Sequence, residues 1–459
     1  MPAPSLLPSI WLALAPAPTE AAALPPFEPA PALAPAPAPV PVPPASPSPA
    51  PVPSASQPPA PAPSASPAPD RFYPPVREQL FLAPGTVGDG PLKFSPGKGL
   101  EVKSKDERYA LSISLRTGFL YSAHRTPALP FEHNFEIRRV RLVMSGNVFS
   151  KHVKYLVQLA LAPREVRVED GSVRAAPVLD AYFKFDRLRD FNLWVGQYRV
   201  MYTRERNIVD INPLLIDRSL ANNEFNVDRD IGLDVRSEDV GGLGKLRYYA
   251  GVFMGDGRDQ TRFSNSGLMY VGRVDFLPFG LFDDYEASDQ TRLRRPRLSL
   301  GAAYAYNDRA RNNRGVLGTP PADGGSTNYH NFTADLMFKV AGLSIDAAYL
   351  WRDGRRNPGG AVDDMGAPIP VEAARNGHGW MAQAAFLIPR TGLEPAFRTS
   401  GTRGRGQTSM PDRNELGGGL NYYFAGHNLK LQVDYFRTWD PGKAASVSDL
   451  VRLQIQLAL

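Results

Sequence analysis

From residue 99 onward, apolar residues recur on every second position. In "VRLQIQLAL" (451–459), Val451, Leu453, Ile455, Leu457 and Leu459 alternate with Arg452, Gln454 and Gln456. A two-residue period places one set on each face of a β-strand. In "YALSISLRTGFLY" (109–121), Leu111, Ile113, Leu115 and Phe119 oppose Ser112, Ser114 and Arg116. "HVKYLVQLALA" (152–162), "NFTADLMFKV" (331–340), "LSIDAAYLWR" (343–352) and "NLKLQVDYF" (428–436) follow the same rule. The pattern predicts strands near 108–121, 134–149, 151–162, 177–186, 190–200, 229–237, 244–255 and 267–277. Further strands are predicted near 296–306, 329–340, 342–352, 377–388, 392–400, 413–424, 427–437 and 448–459.

The connections separate into two kinds. Tight ones ("SKH", "RLRD", "AG", "PRTG", "AGH") alternate with long ones at 122–133, 163–176, 201–228, 307–328, 353–376 and 438–447. One link on the tight side, 278–295, is long. About sixteen strands with short turns at one end and long loops at the other predict an all-β, transmembrane antiparallel barrel. Lipid offers no hydrogen bonds, so a sheet inside it must close. The last strand is therefore expected to pair with the first, its apolar face toward lipid and Arg452 toward a wet lumen. Soluble sandwiches and propellers also use alternating strands. Strand length, loop asymmetry and aromatics near strand ends (Tyr121, Tyr304, Tyr306, Tyr349, Trp351, Tyr422) favour the membrane.

The first seventy residues are of another kind. They hold 25 of the 46 prolines in the 459-residue chain. Proline has no N–H to give to a ladder, so 25–70 reads as a disordered Pro/Ala-rich linker. Residues 1–24, with "SLLPSIWLALAPA", read as the region of a secretory signal peptide, although no Lys or Arg precedes the apolar stretch. Residues 71–107 read as a periplasmic entry segment and 108–459 as the barrel.

Composition narrows the chemistry. There is no cysteine, so disulfides and thiolate chemistry are excluded. The six histidines form no HExxH, and no GxSxG or P-loop is present, so no enzyme and no cofactor is expected. "DFLPFGLFDDYEASD" carries enough carboxylates for a calcium ion and reads better as a solvated turn. The net charge of +6 suits an anionic partner without choosing one; no nucleic-acid partner is expected.

"FEIRRVRLVMSGNVF" (135–149), "LDAYFKFDRLRDFNLWVGQYRV" (179–200), "IDRSLANNEFNVDRDIGLDV" (216–235), "VGRVDFLPFGLFDDYE" (271–286) and "LGGGLNYYFAGHNLKLQVDYF" (416–436) together resemble the phosphate-selective porin O and P family. "GLEVKSKDERYALSISLR" (99–116) resembles its entry segment. The resemblance implies a sixteen-stranded outer-membrane porin with an in-folded constriction loop, passing small anions as a homotrimer. There are two departures. The chain ends in Leu459 rather than an aromatic residue, and 200–228 contains no lysine.

On that reading the long segment 200–228 is the constriction loop, with Arg204, Arg206 and Arg218 as lining candidates. Arg199, Arg204, Arg206, Arg218 and Arg229 are balanced there by Glu205, Asp210, Asp217, Glu224 and Asp228. The polar strand faces add Arg116, Arg139, Arg141, Lys154, Lys184, Arg273, Arg352 and Arg452, against fewer carboxylates. In "EIRRVRL" the alternation slips between Ile137 and Val140, which predicts a bulge turning Arg138 as well as Arg139 and Arg141 inward. The expected function is passive diffusion of small solutes, with anions such as phosphate preferred. The alternative is a structural or adhesive barrel whose Pro-rich segment tethers it.

Overall fold

In the final strand, Val451, Leu453, Ile455 and Leu457 lie on the outer surface, while Arg452, Gln454 and Gln456 are buried inside a ring of strands. A computed structural model describes residues 92–127, 129–166, 177–259 and 267–459, with the backbone of 168–169 and 172–173. The signal and linker expected in 1–70, and 71–91 of the entry segment, lie outside the described residues.

The chain enters through a hairpin of β1 (Leu92–Ser95) and β2 (Gly99–Lys103). The ring begins with β3 (Ala110–Arg125), β4 (Glu132–Asn147) and β5 (Val153–Ala160). A loop carrying α1 (Pro163–Val166) and the ribbon β6 (Val168–Glu169) and β7 (Ser172–Val173) follows. Next come β8 (Val178–Leu188) and β9 (Phe191–Arg199). The segment 200–228, with α2 (Arg204–Asn207) and α3 (Leu220–Phe225), leads to β10 (Arg229–Ser237), β11 (Leu246–Phe253) and β12 (Met269–Phe276). The remaining strands are β13 (Arg297–Ala310), β14 (Ser326–Val340), β15 (Leu343–Asn357), β16 (Gly377–Phe386), β17 (Leu393–Gly404), β18 (Arg413–Tyr423), β19 (Leu429–Trp439) and β20 (Ser448–Ala458).

Each strand from β3 to β20, the small ribbon aside, pairs antiparallel with its neighbours, and β20 pairs with β3 (Val451 opposite Ala123, Leu457 opposite Thr117). The result is a closed sixteen-stranded barrel. β3 is longer than β20, and β2 takes over where the chain ends: Leu459 exchanges backbone hydrogen bonds with Leu115, and Leu100 sits opposite Ile113. The entry segment is thus partly strand. A Cβ on Gly99, whose φ is +76°, would strike the Ile113 carbonyl, so this docking requires glycine. Removal of 92–103 should leave a barrel that still closes but melts at lower temperature, because the first residues of β3 lose a partner. The measurement is the temperature at which heat-modifiable gel mobility is lost, compared with a chain starting at Leu92.

Turns at the chain-terminal end are short. Between β14 and β15 only Ala341 and Gly342 intervene, both with positive φ, the two-residue turn that suits strand twist. The exception is 277–296. The solvated turn expected there is instead folded into the lumen: Asp284, Ala287, Ser288 and Asp289 are buried. Ser288 donates to Glu394 at 2.5 Å, and Tyr285 donates to Asp275 at 3.0 Å. Its carboxylates meet basic and hydroxyl groups of the wall, and this replaces the water a free turn would have.

Candidate functional site: a basic cavity inside the barrel

Both short helices of the segment 200–228 are capped, and packing against the wall holds the segment inside the barrel. The Thr203 hydroxyl accepts from the Arg206 N–H at 3.3 Å, and the Ser219 hydroxyl accepts from the Asn222 N–H at 3.1 Å. One side of the segment is apolar. Phe225 and Ala221 pack on Leu350 and Met410, and Ile208, Leu214 and Leu215 pack with Ala287, Met337 and Phe436. Polar ties fix the rest to the wall. Asp434 accepts from the Ile216 N–H at 3.0 Å, and Asn421 and Gln432 donate to the Leu214 carbonyl. The loop is therefore pressed against β14–β20 and leaves space toward β4.

Where it meets β12–β14 the lumen is sealed by ions. Arg204, 1% exposed, donates to Asp335 at 2.8 Å, Asp284 at 2.5 Å and Ser299 at 3.0 Å. Arg273 donates to Asp335 at 2.7 and 2.9 Å and lies 2.7 Å from Asp275. The sequence placed Arg204 and Arg273 on the channel surface. Both are instead internal, because three carboxylates from β12, β14 and the 277–296 link converge on them. Removing one partner of such a cluster leaves a buried charge unmatched, typically about 3–5 kcal/mol. Arg204→Met should therefore loosen the loop, read as noisier single-channel current and a lower unfolding temperature.

Other basic residues are also tied down. Arg229 makes a two-pronged contact with Asp180 (2.9 and 3.0 Å), and Arg452 makes one with Asp434 (2.8 and 2.9 Å). Arg352 donates to Asn331 at 2.8 Å and to Glu224 at 3.2 Å. Arg199 donates to the Arg206 and Ile208 carbonyls at 3.0 Å. Lys154 and Lys184 lie away from this level, near the short turns, beside Asp186 and Glu238. Arg116 sits in register with Arg141, and among the described residues its Nε finds no partner.

The open space is a cavity of about 570 Å³ between β4, α1, the inward loop and the 311–325 loop. Seven arginines line it: Arg138, Arg139, Arg141, Arg164, Arg206, Arg218 and Arg314. Four carboxylates face them: Glu165, Asp210, Asp217 and Asp228. A bulge in β4 makes this crowding possible. Gly118 of β3 is opposite Arg139 and Phe119 is opposite Ile137, so Arg138 is the extra residue and two consecutive arginines reach the lumen. Arg141 bridges Glu165 and Asp210, Arg138 bridges Glu136 and Asp217, and Arg206 bridges Asp228. Arg139 has no hydrogen bond or ion pair among the described residues, and Arg314 reaches only the Asn223 carbonyl at 2.9 Å.

Burial alone would raise the Asp217 carboxyl, yet Arg452, Arg138 and Arg139 outweigh it and hold it down at about 2. Asp228 is lowered too, against its burial, by Arg206 and Arg229. Arg164 and Arg314 were not anticipated, because nothing in "APREV" or "NNRG" marks them. They reach the cavity only through the fold.

The barrel, its inward loop and its lumen of ion-paired side chains define a channel-forming outer-membrane protein. The sequence profile of the phosphate-selective porin O and P family matches residues 130–458, and the chain belongs to that family. The structure is similar to that of OmpF of Salmonella typhi in complex with daunomycin, at 13% identity and a TM-score of 0.54, covering 78% of this chain and 100% of the other. It is also similar to the outer membrane channel DcaP of Acinetobacter baumannii, at 12% identity and a TM-score of 0.51, covering 78% and 99%. No curated protein matches the chain. It is a porin of the bacterial outer membrane, not an enzyme.

Proposed function

We propose that this porin prefers anions, phosphate or similar small oxyanions among them, and that selection occurs at the cavity beside β4. The observation carrying this reading is the local excess of guanidinium over carboxylate in the cavity lining, where Arg139 has no hydrogen bond or ion pair among the described residues. Arg presents a planar fork that matches two oxygens of phosphate or carboxylate. Several basic side chains elsewhere in the lumen, Arg204, Arg229, Arg273 and Arg452 among them, are matched directly to acids, so their charge is neutralised locally. The absence of lysine from 200–228 does not weaken this, since the cavity supplies arginine in its place. Phosphate added at millimolar concentration should reduce chloride current through single channels, and Arg139→Gln should weaken that block. Current indifferent to phosphate would leave an unspecialised pore.

The assembly proposed with this function is a homotrimer in outer-membrane lipid, each barrel carrying its own cavity. It predicts a cross-linked species of three chains in mild detergent.

A further inference from the structure

The outside of the barrel carries a second basic feature, unrelated to the lumen. At the long-loop end of β15–β17 the lipid-facing residues change from aliphatic to aromatic, then to basic. Tyr349 and Trp351 on β15 and His378 and Trp380 on β16 form the band. The Tyr349 and His378 rings stack at 5.9 Å, and His378 and Trp380 lie 6.4 Å apart. Just beyond it stand three arginines. Arg403 lies 4.9 Å above the Trp380 ring, and Arg405 lies 5.8 Å above Trp351. Arg355 is exposed and, among the described residues, has no hydrogen bond or ion pair. Strand alternation sets Arg355 and Arg403 on the same outward face as Trp351, opposite the lumen-facing Arg352 and Arg398. Asp353 is the one carboxylate on that face of these three strands, and it is taken by Arg405 at 3.2 Å. Arg403 is held by the Thr402 carbonyl (2.7 Å) and Asn414 (2.7 Å), which orients its guanidinium over the ring.

The aromatic band marks the membrane interface, so these arginines stand at headgroup height in the outer leaflet. We propose that the outward rim of β15–β17 binds a phosphate group of an outer-leaflet lipid, with Arg355, Arg403 and Arg405 as ligands. Charge complementarity selects an anion. Continuity with the apolar strand faces below selects a lipid rather than a free ion, since the acyl chains would run down over Tyr349, Ala347 and Ile345. The two tryptophans mark the level where chains give way to headgroup.

The test uses the folded chain purified in neutral detergent and, as probe, a bisphosphorylated disaccharide lipid. The same lipid without its phosphates and inorganic phosphate serve as comparisons. Bound lipid is counted by native mass spectrometry, and binding is followed by tryptophan fluorescence. The phosphorylated lipid should bind about tenfold or more tighter than its dephosphorylated form, as charge-assisted contacts from several arginines imply. Millimolar inorganic phosphate should not displace it. The triple variant Arg355→Gln, Arg403→Gln, Arg405→Gln should lose that preference with single-channel conductance unchanged, and the corresponding lysine variants should keep part of it. Arg355→Gln alone, at an exposed position with no partner to disrupt, should show a smaller loss even if the triple variant folds poorly. Equal binding of the two lipids, equal binding by wild type and folded variants, or displacement by inorganic phosphate would each overturn the proposal.

Discussion

A chain lacking residues 448–459 should show no heat-modifiable gel mobility and should be absent from the folded fraction of outer-membrane extracts. β20 is paired along its length on both sides, with β19 and with β3. Its loss opens two strand edges inside hydrocarbon, where each unpaired N–H or C=O costs several kcal/mol. It also removes Arg452, which holds Asp434 of the wall and Asp217 of the inward loop. The effect is therefore on closure and on loop placement together. A truncated chain that retained the heat shift would show that β3 and β19 can pair directly. Leu453→Asn is a milder counterpart. It changes one lipid-facing side chain and leaves the ladder intact, so the heat shift should persist at a lower melting temperature.

Replacement of Arg138, Arg139 and Arg141 together by Gln should bring the chloride-to-potassium permeability ratio close to one. The substitution would leave Arg164, Arg206, Arg218 and Arg314 against four carboxylates, a cavity without formal excess charge. Charge around a narrow passage sets ion preference through the local potential. Asp217, Asp210 and Glu136 keep Arg452, Arg218 and Arg164 after the change, while Glu165 loses Arg141, so some loss of stability should accompany the loss of preference. Arg139→Gln alone should give part of the effect with no change in unfolding temperature, since that side chain gives up no hydrogen bond or ion pair among the described residues. Arg273→Gln is the contrasting case. Arg273 is buried between Asp275 and Asp335, so its loss should lower stability and disturb the loop rather than adjust preference directly.

The ring was legible in the sequence because lipid imposes a strict rule, apolar outward and polar inward, that every strand must write into its residues. The sixteen strands follow from it, whereas the inward position of 200–228 was an expectation of the family resemblance and not of the alternation. The β4 bulge was legible for the same reason: two arginines in a row break a two-residue period, and Arg138 is the residue the ladder skips. Pairing inside the lumen was not legible. Arg204 is joined to Asp284, Asp335 and Asp275, residues 71 to 131 positions away, and no local pattern encodes such distances. The fold of 277–296 into the lumen was hidden likewise, since "FDDYEASD" reads as a turn until Arg247 and Arg204 are seen above it. The β1–β2 hairpin did leave a trace in the glycines of "PGKGLEVK", too short for periodicity to register. Loop charge counted along the chain comes to balance, and only the structure separates acids and bases facing the cavity from those locked against the wall.

The central claim is that the cavity beside β4 makes this porin prefer anions. A single-channel reversal potential across a KCl gradient tests it most directly. Chloride should carry more current than potassium at 0.1 M, and the preference should shrink toward 1 M as the Debye length falls from about 10 Å to about 3 Å. A wild-type channel that carries potassium in preference to chloride at low salt would contradict the account.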